Sequence, residues 1–259
     1  MVAEDTISTE FLGLTLRSPI ILLSGCVGFG DEYSRVEGFS NASIGGAVLK
    51  GTTLEPRLGN APHRVVETPA GMLNSIGLQN PGVDEVVNTI LPSLEPPETH
   101  YFANVSGSTV EEYVAVTKKF DRSCVSGIEL NISCPNVKKG GMEFGVDCEM
   151  TAKLTETLRG ITERLLIMKL SPNVSDIVSI GMSAENAGAD AVSAINTVVG
   201  MSINAKTGMS DIFTTYGGLS GPAIKPIGLA AVHKLYQQLS IPIIGIGGIV
   251  SGEDAVEYM

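Results

Sequence analysis

Two lysines, four asparagines and one cysteine occupy positions where their side chains need a chemical reason. Lys50 sits in the apolar run Ala-Val-Leu-Lys-Gly-Thr-Thr and Lys169 in Leu-Ile-Met-Lys-Leu-Ser-Pro. An ammonium buried among aliphatic groups is costly unless it meets a partner or a ligand, although a strand-end lysine can also reach out to water. Cys134 lies in Asn131-Ile-Ser-Cys-Pro-Asn136-Val-Lys-Lys-Gly-Gly141, at the end of a strand-like run and flanked by two amides. A free cysteine is ordinarily a small buried hydrophobe, but on a proline-containing turn at a strand end it is placed to meet a ligand. Asn74, in Met72-Leu-Asn-Ser-Ile-Gly-Leu-Gln-Asn80, and Asn196, followed by Thr197, complete a set of amides able both to donate and to accept.

The elements that must carry these residues follow one rhythm. Short apolar, β-branched runs at 19–25, 45–53, 100–107, 127–135, 165–172, 191–197 and 242–248 are each followed by a turn and, in most cases, a helical pattern. That is the signature of repeated βα units around a parallel sheet. At 259 residues the chain suits a single (β/α)8 barrel, an α/β TIM-barrel fold, spanning 1–259 as one domain. Only seven units are counted; an eighth is missing after Met259, so the sequence is expected to be a fragment or to close its barrel with another element. Two connections, 54–81 and 198–225, are long and glycine-rich, and in a barrel both are expected over the C-terminal face, where active sites are built. Ser108-Thr-Val-Glu111 has capping-box spacing, which predicts a helix capped by Ser108, and another helix is predicted to start at Ser251.

Composition narrows the function classes. With 17 Lys+Arg against 28 Asp+Glu the net charge is −11, which repels a phosphate backbone and argues against nucleic acid as a partner. No apolar run is long enough to cross a bilayer and no signal-peptide pattern opens the chain, so a cytoplasmic protein without membrane attachment is expected. Cys26, Cys124, Cys134 and Cys148 include no C-x-x-C pair, and His63, His100 and His233 are scattered; no metal site is expected.

From Phe11 to the last residue the sequence resembles the dihydroorotate dehydrogenases. Its Asn-x-Ser-Cys-Pro-Asn segment is similar to their substrate loop, and Met72–Asn80 to their second substrate segment. The resemblance implies FMN as cofactor and oxidation of (S)-dihydroorotate to orotate in pyrimidine biosynthesis. Cys134 would take the proton from C5 while hydride leaves C6 for the flavin. It also implies that Lys50, Asn74, Ile76, Gly77, Leu78, Asn131, Asn136, Asn196 and Thr197 bind substrate. The flavin would be held by Ser24, Gly25, Lys50, Thr52, Asn104, Asn131, Lys169 and Ile195, and its phosphate by Ser220, Gly221, Gly247 and Gly248. Glycine lets backbone amides approach phosphate closely, and a helix opening near Ser251 would point its N-terminus at the anion.

Within that family, a cysteine rather than a serine base resembles the soluble classes, and the forms of 24–30, 131–141 and 217–222 are similar to the NAD-dependent class 1B. The resemblance then implies a homodimer of catalytic subunits within a heterotetramer, whose electron-transfer subunit carries FAD and a [2Fe-2S] cluster. A class 1A enzyme using fumarate is the nearest alternative. A truncated, non-catalytic flavin- or phosphate-binding chain, and a barrel aldolase with a Schiff-base Lys169, are readings of other kinds.

Overall fold

The computed structural model describes residues 7–94, 99–132 and 144–259. A hairpin of β1 (Thr9–Phe11) and β2 (Leu14–Leu16) comes first, followed by β3 (Ile21–Leu22), α1 (Ser24–Val27) and β4 (Gly46–Val48). The first long connection contains β5 (Val65–Thr68) and β6 (Gly71–Asn74) and leads to α2 (Val83–Glu85). Then come β7 (His100–Val105), α3 (Val110–Asp121), β8 (Gly127–Asn131), α4 (Cys148–Arg159), β9 (Leu165–Leu170), α5 (Ile177–Asn186) and β10 (Ala191–Ala194). The second long connection carries β11 (Val198–Gly200) and β12 (Gly217–Ser220), and α6 (Lys225–Tyr236), β13 (Ile243–Gly245) and α7 (Gly252–Tyr258) follow.

Seven of these strands form one wholly parallel sheet in the order β13-β10-β9-β8-β7-β4-β3. They are the seven runs expected from the sequence, and the fold is that of a TIM-type barrel. Both faces of the sheet are covered, so β7 to β10 are almost continuously buried, as parallel strands must be. The helices face the sheet with stripes of four: Tyr113, Val116, Thr117 and Phe120 in α3, and Thr151, Leu154, Thr155 and Leu158 in α4. Each set has i, i+3, i+4, i+7 spacing, one side of a 3.6-residue helix. The edge strands β3 and β13 border the same large cavity.

Inside the barrel, successive residues of a strand alternate between sheet faces. One apolar layer contains Val48, Phe102, Ile167 and Ala191, closed over by Phe11 and Leu14 of the hairpin, with Ile21 and Ile244 beside them. Two residues further along three of these strands the layer turns polar: Asn104 follows Phe102, Lys169 follows Ile167 and Ser193 follows Ala191. The apolar layer is a plug, and the polar layer is the floor of the site.

Each of the two long connections contains two short strands. They pair as a four-stranded antiparallel sheet, β11-β12-β6-β5, with Gly218 opposite Asn74 and Val198 opposite Leu219. The helix start expected at Ser108 is displaced by one residue. Thr109 caps α3 by accepting from the Glu112 amide, and it is the Glu112 carboxylate, not that of Glu111, that accepts from the Ser108 amide. At Ser251 the expected start is present, as a reciprocal capping box with Asp254.

Candidate active site

The C-terminal ends of the barrel strands and the antiparallel sheet enclose a cavity of about 1660 Å³ that also runs along the gap between β3 and β13. Lys50, one residue pair beyond β4, Asn104 in β7, Asn131 at the end of β8 and Lys169 in β9 all line it. Ser24 and Gly25 reach it from α1, Asn74, Ile76, Gly77 and Leu78 from β6 and the turn after it, and Ile195, Asn196 and Thr197 from the end of β10. Ser220, Gly221, Gly247 and Gly248 form another part of the same wall. Thr52 does not line it: the residue is completely buried, and its hydroxyl donates to the Lys50 carbonyl at 2.9 Å. Cys134 and Asn136 lie outside the described residues. On either side of them, Ile132 and Gly145 are in contact, for a Cβ on Gly145 would fall 2.7 Å from the Ile132 carbonyl oxygen.

Three of the four asparagines expected to converge do so. Asn196 Nδ2 donates to Asn131 Oδ1 at 3.2 Å, and its own Oδ1 accepts from the Thr197 amide at 2.8 Å. The Asn131 backbone is pinned from below by the buried Tyr113, whose hydroxyl donates to its carbonyl at 2.6 Å. Asn74 Nδ2 donates to the Gly218 carbonyl at 3.1 Å, which ties the two long connections together at the cavity wall.

The turn after β6 is held by residues that sequence reasoning missed. Gly77 and Leu78 both have positive φ, +77° and +55°, a conformation that suits the glycine and strains the leucine. Asn60 donates to both the carbonyl and the hydroxyl of Ser75. Asn80, buried, donates to the Leu78 carbonyl at 2.7 Å and to Thr53 Oγ1 at 2.8 Å, while its Oδ1 accepts from the amides of Thr53 and Gly82. Asparagine in a glycine-rich stretch reads as turn chemistry, and only the fold shows which turn is being clamped.

Glu129 was missed as well. Its side chain is 1% exposed and lies within 3.5 Å of Lys169 Nζ, an ion pair buried in the polar layer. The signal was an acidic residue inside the apolar run Gly-Ile-Glu-Leu-Asn, as unusual as the two lysines. Asn104 Nδ2 donates to Glu129 Oε1 at 2.5 Å, and Asn104 Oδ1 is buried with no hydrogen-bond partner among the described residues. A buried acceptor in a cavity wall fits a ligand that brings an N–H group. On the glycine wall, Gly248 has φ +69°, and a Cβ there would come within 2.8 Å of Lys225 Cβ and 2.9 Å of the Gly221 carbonyl oxygen. Gly221 and Lys225 therefore pack against Gly248 too closely for any side chain there.

A family model for dihydroorotate dehydrogenase matches residues 6–259. The chain belongs to the dihydroorotate dehydrogenase family. It is 50% identical over 255 residues to a protein of Anoxybacillus flavithermus called dihydroorotate dehydrogenase B (NAD(+)), catalytic subunit, covering 98% of this chain and 81% of that one. A Bacillus cereus protein with the same name is 49% identical over 255 residues, covering 98% of this chain and 82% of the relative. Among solved structures, a dihydroorotate dehydrogenase of Eimeria tenella in complex with ferulenol aligns with 100% of this chain and 77% of its own, at a TM-score of 0.78 and 19% identity. That likeness bears on the fold alone. Among the described residues, no helix is long and apolar enough to cross a membrane.

Proposed function

We propose that this chain is the catalytic polypeptide of a cytoplasmic, NAD-linked dihydroorotate dehydrogenase of pyrimidine biosynthesis, oxidising (S)-dihydroorotate to orotate. The observation that carries the reading is the convergence of Lys50, Asn74, Asn131, Asn196 and Lys169 on one cavity, in a chain whose relatives at about half identity bear that name. Asparagine amides suit the alternating N–H and C=O groups of a pyrimidine ring, and the two lysines suit its carboxylate and the electron acceptor.

The cavity fits FMN. The orphaned Asn104 Oδ1 offers an acceptor to a flavin N–H, Lys50 and Lys169 supply positive charge, and Ser220, Gly221, Gly247 and Gly248 offer backbone to the phosphate. Held by these residues, FMN would supply the hydride acceptor for C6 of dihydroorotate. Cys134 is the base for the C5 proton, and Asn131 and Asn196, already bonded to each other, hold the ring in place while that proton moves. The relatives' names join NAD to the words "catalytic subunit", which implies another subunit. In our reading, that subunit carries FAD and a [2Fe-2S] cluster, and two copies of each make the heterotetramer.

The test is orotate formation by the purified chain reconstituted with FMN, with a dye as electron acceptor and then with NAD. Orotate with the dye, and with NAD only after the second subunit is added, is the expected result. Turnover with fumarate in place of NAD would assign the chain to the other soluble class, and no orotate with any acceptor would refute the activity.

A further inference from the structure

The polar floor of the cavity is organised around Glu129. One carboxylate oxygen accepts from Asn104 Nδ2 at 2.5 Å and lies 3.5 Å from Lys169 Nζ; the other accepts from Ser193 Oγ at 2.7 Å. We infer that Glu129 is a positioning residue of the flavin site, fixing the direction of the Asn104 amide and offsetting the charge of Lys169, and thereby setting the reduction potential of the bound flavin. The inference rests on the flavin reading above.

An ionised carboxylate only accepts, so the Asn104 amide must turn its NH2 group towards Glu129, and its Oδ1 is forced to the other side. That oxygen is the buried atom left without a partner, in a residue that lines the cavity. The Lys169 ammonium, a donor only, lies against the same oxygen and keeps that side of residue 129 an acceptor. The second part is electrostatic. Lys169 also lines the cavity, and in a site where Glu129 is 1% exposed little water screens either charge. What a flavin experiences is the lysine's charge less the carboxylate's.

Glu129→Gln separates these effects, because a glutamine can keep Oε1 towards Asn104 and Lys169 while its NH2 donates to Ser193 Oγ. The hydrogen-bond geometry is retained and one negative charge is lost. The experiment reconstitutes wild-type and variant chains with FMN, measures affinity by flavin fluorescence, and measures the potential by equilibration with reference dyes. The variant is expected to bind FMN about as tightly as wild type and to shift the reduction equilibrium about tenfold towards the reduced flavin, a rise of about 30 mV for a two-electron couple. An unchanged or lowered potential overturns the inference.

If the glutamine variant does not fold, Glu129→Asp keeps the charge on a shorter arm and draws the acceptor away from Asn104. FMN binding should then weaken about tenfold, while the potential moves by less than that tenfold equivalent. Unchanged affinity in the aspartate variant overturns the positioning role. A wild-type chain that takes up no FMN sinks the flavin reading and this inference together, whereas a glutamine variant at the wild-type potential sinks this inference alone.

Discussion

Lys169 and Glu129 share a buried layer with Asn104 and Ser193, and each stands two positions beyond a residue that faces the apolar plug or its edge. The lysines were legible in the sequence because a cation in an aliphatic run is conspicuous. Glu129 was equally conspicuous, but reading for amides and cations passed over it, and only strand register shows Asn104 directly opposite it. At this scale the proton transfer is the sharpest prediction. Cys134→Ala should lower the rate of flavin reduction by dihydroorotate about 10²–10⁴-fold, the range for a lost general base, while FMN stays bound. Rapid-mixing absorbance under anaerobic conditions reads this directly, and a rate within a few-fold of wild type would remove the cysteine from the reaction. The pattern Asn131-Ile-Ser-Cys-Pro-Asn136 marked that position in the sequence; its chemistry depends on surroundings that sequence does not display.

The seven barrel strands were readable as elements, since each is a short apolar run bounded by turn residues. The four-stranded sheet was not. Its strands are three or four residues long, three of the four contain glycine, and its two halves join across about 140 residues of sequence, so no local periodicity announces the sheet. The clamp at Asn80 belongs to this scale, because it joins Thr53, after β4, to Leu78, after β6. Asn80→Ala strands several buried donors and acceptors and should lower the unfolding free energy by about 2–4 kcal/mol, read from urea titration. It should also raise the KM for dihydroorotate, and an unchanged KM would show that the Leu78 turn holds without it. In α7, Asp254 accepts from Lys225 Nζ and from the Val250 and Ser251 amides. The Lys225 ammonium, and after it the Val250 amide, hold its carboxyl below the usual carboxylate range. A depressed carboxyl contributes stability that is complete above its unfolded value, about pH 4, and lost as the pH falls below that. Asp254→Asn should therefore destabilise the chain at neutral pH and flatten the decline in stability below about pH 4. An equally steep acid limb in the variant would place that sensitivity elsewhere.

At the scale of the molecule, the apolar packing and the residues proposed for the chemistry occupy different layers of one barrel. The hairpin side chains Phe11 and Leu14 close over Val48, Phe102, Ile167 and Ala191, and the residues proposed to bind ligands stand beyond that plug. Phe11→Ala should reduce stability by about 2–3 kcal/mol, somewhat less than a fully buried phenylalanine, with flavin reduction unchanged in the folded protein. Slowed reduction in the folded variant would mean that the plug also sets the geometry of the floor. The barrel class was legible from length and strand rhythm; the hairpin that plugs it was not, because its two strands of three residues lie below the length at which alternation is informative. The central claim is that this cavity holds a flavin and passes it electrons from dihydroorotate. The most direct measurement is the visible absorption of the FMN-reconstituted chain before and after anaerobic addition of dihydroorotate. A yellow protein that bleaches on addition is the expected result; a yellow protein that keeps its colour would contradict the substrate, and a chain that takes up no FMN would contradict the site itself.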